Sequence, residues 1–147
     1  MKYKEIFFDS WNELCELVRT GEFTPHQEQD IVCMMYHLCI GTLKNPKLIH
    51  ASSTWNFDLV LGNIKGEKRR EQKFTHCLLA EFKFILKRGR KNRRLEKSKG
   101  DLVKLSEEGD PTTRRMLAIL AKANWIEPEE KKELIQYKKN VTVLFYP

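Results

Sequence analysis

Apolar positions along this chain keep a helical period near its start and a strand period through its middle. Ser10 and Glu13 have the spacing of a capping box, and Trp11, Leu14, Leu17 and Val18 then recur at helical intervals until Gly21. That pattern predicts a short amphipathic helix that covers another element. The mixed segment before it, with Tyr3, Ile6, Phe7 and Phe8, reads as a short strand or docking segment. Thr24 is the next expected N-cap, with Pro25 at the first helical position and Gln27 three residues on. The helix it opens runs through Ile31, Val32, Met34, Met35, Tyr36, Leu38, Cys39 and Ile40. It is apolar on nearly all sides, so it should be buried or sandwiched.

Strand patterns follow. Residues 47–53 and 56–62 read as two strands, the second with Asp58 at its beginning, and residues 74–86 (FTHCLLAEFKFIL) as a longer third. A charged turn leads from the second to the third, which predicts an antiparallel set of three. Residues 96–108 carry Leu102, Val103 and Leu105 in a modest amphipathic helix, closed by Gly109, Asp110 and Pro111. Residues 116–121 fit either a strand or a helix, and the turn-rich segment before them favours a strand. Pro128 with Glu129 and Glu130 opens a last helix, which closes near Lys138 and Lys139. Val141, Val143 and Phe145 alternate as a final strand. The 147 residues make one domain, with 1–22 as an N-terminal helical extension and 23–147 as the core.

The third strand holds the anomaly. Residues two apart on a strand share a face, so Cys77, Leu79, Glu81, Lys83 and Ile85 point one way. Leu78, Ala80, Phe82, Phe84 and Leu86 point the other way, toward a core. A carboxylate and an ammonium therefore stand among aliphatic neighbours, a costly arrangement unless they are paired or bound to a metal.

Charge sharpens the picture. The formal net charge is +7, which suggests a polyanionic partner. Much of it is concentrated after the third strand, in Lys87, Arg88, Arg90, Lys91, Arg93 and Arg94, with Lys97, Lys99 and Lys104 extending the same surface. A second run, residues 65–70, precedes that strand. No apolar run approaches the roughly 18 residues that span a bilayer, so no membrane association is expected, and a cytoplasmic location is the default. Cys15, Cys33, Cys39 and Cys77 show no CxxC pairing and read as reduced cysteines.

An apolar helix, a strand, a strand beginning with Asp58, a strand carrying Glu81-Phe82-Lys83, then a helix and a further strand: this order resembles the PD-(D/E)xK nucleases. The resemblance covers most of residues 24–146, and the separation 81 − 58 = 23 lies within the spread the family tolerates. Phe57, not proline, precedes Asp58. Glu-x-Lys alone carries little information, because Glu71-Gln72-Lys73 and Glu129-Glu130-Lys131 satisfy it in charged segments. The resemblance implies an α/β, restriction-endonuclease-like core. Its central mixed β-sheet is flanked by helices in αβββαβ order, with an extra N-terminal helix and a C-terminal helix and strand.

It also implies an activity: hydrolysis of phosphodiester bonds, in DNA, by a divalent-metal-dependent endonuclease. Hard oxygen ligands from Asp58 and Glu81, with the carbonyl of Phe82, would hold Mg²⁺ or Mn²⁺. Lys83 would orient the attacking water, help lower its pKa or stabilise developing charge. Glu28, or else Gln27, on the first core helix would complete the site. A first-turn glutamate that only complements the helix dipole is the alternative for Glu28. For Asp58, Glu81 and Lys83 the alternative is an internal salt-bridge cluster. For the whole chain it is a non-catalytic nucleic-acid-binding or assembly subunit that keeps the fold. Double-stranded or branched DNA is the expected partner, and a homodimer would bring two sites together.

Overall fold

The computed structural model describes residues 2–51, 56–66 and 72–147. Helix α1 (Tyr3–Thr20) begins at Tyr3, so residues 3–9 are helical and form neither a strand nor a separate docking segment. The stripe of Phe7, Trp11 and Leu14 continues the helical period back past Ser10. Ser10 is buried within the helix instead of capping it, and its Oγ accepts from the Cys39 thiol at 3.4 Å. The far end is as expected: Gly21 takes the left-handed conformation (φ +80°) that closes a helix.

Helix α2 (Glu28–Leu43) starts later than Thr24 and Pro25 suggest, with extended Gln27 as its N-cap. The deciding group is Asp30, whose Oδ2 accepts from the N–H groups of His26 and Gln27 at 2.7 and 3.1 Å. That carboxylate satisfies the approach to the helix, and Thr24 is left outside it. Ile31, Val32, Met35, Cys39 and Leu43 are buried, and α2 is sandwiched between α1 and the sheet.

Five strands form one mixed sheet in the order β1-β2-β3-β4-β5. They are β1 (Ile49–Ala51), β2 (Leu59–Leu61), β3 (Leu78–Phe84), β4 (Arg114–Leu120) and β5 (Thr142–Phe145). The first two pairings are antiparallel and the last two parallel. Parallel neighbours need a crossover, supplied here by α3 (Lys91–Glu107) and α4 (Pro128–Tyr137). The antiparallel trio, the strand at 116–121 and the final helix and strand agree with the sequence pattern in order. The first three strands are shorter than expected: Pro46–Leu48 form a 3-10 turn ahead of β1, Asp58 sits just before β2, and β3 takes only 78–84 of residues 74–86. Ser52 and Ser53, residues 67–70 of the basic run before β3 and Glu71 lie outside the described residues.

The alternation along β3 divides the core in two. Leu78, Ala80 and Phe82 join α1 and α2 on one face, where the Phe82 ring stacks on Phe7 with centroids 5.8 Å apart. Leu79, Ile85 and Cys77 join α3 and α4 on the other. Leu86 departs from this pattern. It lies past the strand end and is 56% exposed.

The basic run after β3 is mostly helical. Residues 88–90 form one tight turn and α3 begins at Lys91, five residues before position 96. Lysine and arginine are good helix formers, and Leu95, Ser98 and Leu102 already trace a buried stripe. No helix among the described residues is long and apolar enough to cross a membrane.

Candidate functional site

β3 outruns β2, and the site grows from that difference in length. β2 pairs only with Leu78, Leu79 and Ala80. Farther along, the Ile85 N–H bonds to the Leu120 carbonyl on β4, so the N–H groups of Phe82 and Phe84 face the edge that β2 has left. Two carboxylates take the place of the missing strand. Asp58 Oδ2 accepts from Phe82 N at 2.8 Å, and Glu28 Oε1 accepts from Phe84 N at 3.3 Å. The carbonyl of Phe82 lies along the same edge as its N–H.

Register brings Asp58 to Glu81. Leu59 is opposite Ala80 and Val60 opposite Leu79, so the next step of the ladder sets Asp58 across from Glu81, both on the α3 face. Like charges directly opposite each other on adjacent strands are unfavourable. Glu81 is also only 5% exposed. Burial, and then the charge and hydrogen-bonding reach of Asp58, push its carboxyl from the ordinary 4.5 up to about 8, against an opposing pull from Lys104. Lys104 Nζ lies against Glu81 Oε1 and donates to the Asn56 carbonyl at 2.8 Å. Even so, buried Glu81 Oε1 has no aligned hydrogen-bond donor among the described residues.

Lys83, 9% exposed, stands one step farther along the same face. Its ammonium meets Asp101 Oδ2 at 2.6 Å and Glu28 Oε1 at 3.7 Å. Burial alone would lower its pKa, but Asp101, Glu28 and Glu81 together outweigh that and hold it above the usual lysine range. Glu28 Oε2 continues to the Arg94 guanidinium at 3.3 Å. Glu28 thus reaches the site through Lys83 and the β3 edge.

The network sets four carboxyls (Asp58, Glu81, Glu28 and Asp101) against three cations (Lys83, Lys104 and Arg94). One negative charge is in excess, and it falls where Asp58 and Glu81 converge. A proton on Glu81 removes it, and so would a cation between the two carboxyls. The donors are hard oxygens, which suit Mg²⁺ or Mn²⁺, with the Phe82 carbonyl as a third oxygen on the same edge. No cluster of three or more metal-type side chains occurs among the described residues. The lysine partners also differ from a simple Asp58–Glu81–Lys83 salt bridge: Glu81 takes Lys104, and Lys83 takes Asp101.

The basic residues divide into three groups. Lys91 pairs with Glu130 at 2.9 Å and Lys99 with Glu133 at 2.7 Å, which ties both to α4. Arg94 and Lys104 belong to the network above. Lys87, Arg88, Arg90, Arg93 and Lys97 are exposed and form no ion pair among the described residues.

Asp101 carries no signal of its own in the sequence. With Lys104 it brackets the buried Leu102 on α3, but only the way α3 lies on β3 turns the pair toward Lys83 and Glu81. No family model, curated protein or solved structure matches the chain.

Proposed function

We propose that this protein is a divalent-metal-dependent nuclease that hydrolyses phosphodiester bonds in DNA, with the core arrangement of the PD-(D/E)xK enzymes. One observation carries the reading. The carboxyls of Asp58 and Glu81 are held together in a mostly buried setting that raises Glu81 to about 8, with an ammonium on the adjoining position of the strand. A purely structural ion cluster has no stabilising reason to set two carboxyls against each other, since an apolar pair would do as well or better. The mixed order of the sheet, with β3 at its centre, supports the family reading.

Asp58, Glu81 and the Phe82 carbonyl would hold Mg²⁺ or Mn²⁺. When bound, the ion supplies Lewis acidity toward a phosphoryl oxygen and lowers the pKa of a ligated water. The chain's own groups divide the remaining work. Lys83 stays protonated at neutral pH, so it serves as a donor and a positive charge near the reacting phosphate; it is not a general base. Asp101 and Glu28 fix the direction of its ammonium. Lys87, Arg88, Arg90, Arg93 and Lys97 supply uncompensated charge for strand phosphates, which makes binding steeply salt-dependent.

The test is cleavage of plasmid and oligonucleotide DNA with Mg²⁺, Mn²⁺ or EDTA. Activity is expected only with a divalent ion, and Glu81→Ala and Lys83→Ala should each lower it by about a hundredfold or more. Salt-dependent binding without product under any metal would favour the non-catalytic subunit instead. Full activity in both variants would refute the site.

A further inference from the structure

Beside the site, and sharing Glu28 and Arg94 with its ion-pair network, lies a cleft of about 460 Å³, bounded by the start of α2, the end of β3 and the start of α3. That volume is in the range of roughly 300–1,000 Å³ that accommodates small ligands. Its position is not arbitrary. Glu28 lines the cleft and contacts Lys83 at 3.7 Å, so whatever occupies the cleft adjoins the proposed cutting site.

The lining is of two kinds. Lys87 and Arg90 project from the turn after β3 and are exposed and unpaired among the described residues. The acidic groups of the first α2 turn do not cancel them. Asp30 is engaged by the N–H groups of His26 and Gln27, and Glu28 by Phe84 N, Lys83 and Arg94. Apolar surface lies beside these cations. Leu86, 56% exposed, and half-buried Phe84 both line the cleft. An exposed leucine alone is ordinary. An exposed leucine beside two uncompensated cations, in a cleft that shares Glu28 with the site, suits a group with an apolar face and a negative charge.

Resting on the nuclease reading, we propose that this cleft is a nucleotide subsite. It would hold the nucleotide next to the scissile phosphate, with the base against Leu86 and Phe84 and its phosphate between Lys87 and Arg90. The pairing of Arg94 with Glu28 links this subsite to Lys83.

The experiment is equilibrium binding of a fluorescein-labelled single-stranded oligonucleotide in EDTA, where cutting is silent, across a salt series. Arg90→Ala should weaken binding about tenfold and reduce the salt slope by about one. Leu86→Asn should weaken it several-fold with the slope unchanged, because no charge is lost. Arg114→Ala, at the opposite end of the parallel strands, is the control. If wild type binds and both cleft variants match the control, the subsite is refuted and the nuclease reading stands. If wild type binds no nucleic acid in EDTA and cuts none with Mn²⁺, both fall together.

Discussion

Asp58 Oδ2 accepts the Phe82 N–H at 2.8 Å, and that bond places an aspartate at the point where β2 stops covering β3. A backbone donor in this position needs a partner, and a strand would have provided a carbonyl. A carboxylate provides the same acceptor and adds a charge. Because the ladder sets Asp58 opposite Glu81, the group that satisfies the strand edge also creates the excess negative charge of the site. Structural and chemical roles therefore meet in one side chain, and substitutions can separate them.

Asp58→Asn keeps an acceptor for Phe82 N and removes the charge. The fold should persist with little change in Tm, while metal-dependent cleavage falls by about a hundredfold or more. The Glu81 carboxyl should titrate below about 8 in this variant, although still above 4.5, because burial is the larger cause of its shift. Asp58→Ala, in contrast, leaves the N–H without its partner and should cost about 1–3 kcal/mol in urea denaturation.

Glu81 makes stability depend on pH in a direction opposite to that of a salt-bridged acid. Its folded pKa, about 8, lies above the ordinary 4.5, so the folded state binds the proton more tightly. Below pH 4.5 both states are protonated and no penalty exists. Between 4.5 and about 8 the unfolded chain loses the proton first, and stability falls as pH rises, by on the order of a few kcal/mol. Glu81→Gln should abolish this component and be more stable than wild type at pH 9, read from denaturation curves at pH 5, 7 and 9. Mn²⁺ should raise the Tm of wild type and leave that of the variant unchanged.

Asp101 supports Lys83 from α3. With Asp101→Asn the carboxylate at 2.6 Å is gone and burial acts on the ammonium with less opposition, so the Lys83 pKa should drop. If Lys83 works in its charged form, the alkaline limb of the pH–rate profile should move to lower pH in this variant. An unchanged limb with a uniformly lower rate would mean that Asp101 only braces α3.

How far the sequence reveals this site depends on the range of the interaction concerned. Alternation in residues 78–84 is local, and it already separates Glu81 and Lys83 from the Phe82 face. The antiparallel trio follows from three successive strand patterns with no helical pattern between them. Capping is less legible, because competition between candidates is decided by tertiary contacts. Ser10 has the right chemistry for a cap but faces Cys39 on α2, and Asp30 outbids Thr24 by reaching two N–H groups. The partners of Lys83 and Glu81 lie 18 and 23 residues downstream, since 101 − 83 = 18 and 104 − 81 = 23. Which lysine meets which acid depends on how α3 lies across β3, and no spacing within the helix encodes that. The helix start at Lys91 was concealed for a different reason. A run of like charges resembles a solvated loop until Leu95 and Leu102 are seen to be buried on one stripe.

Lys104 separates an ion pair from mere packing. Its ammonium lies against Glu81 and over the Phe57 ring, 5.2 Å from the centroid, with the side chain about one-third exposed. Lys104→Met retains the aliphatic stem and removes the charge. At pH 6 most Glu81 is protonated, so the loss should be small. At pH 9 Glu81 is largely ionised, and removing its cation leaves a buried carboxylate facing Asp58 alone. The stability difference from wild type should therefore widen between pH 6 and pH 9 by about 1–2 kcal/mol, because the variant's Glu81 pKa rises above that of the native protein. A difference that stays constant with pH would show that Lys104 contributes only its methylenes, and that the excess charge on the carboxyl pair is compensated elsewhere.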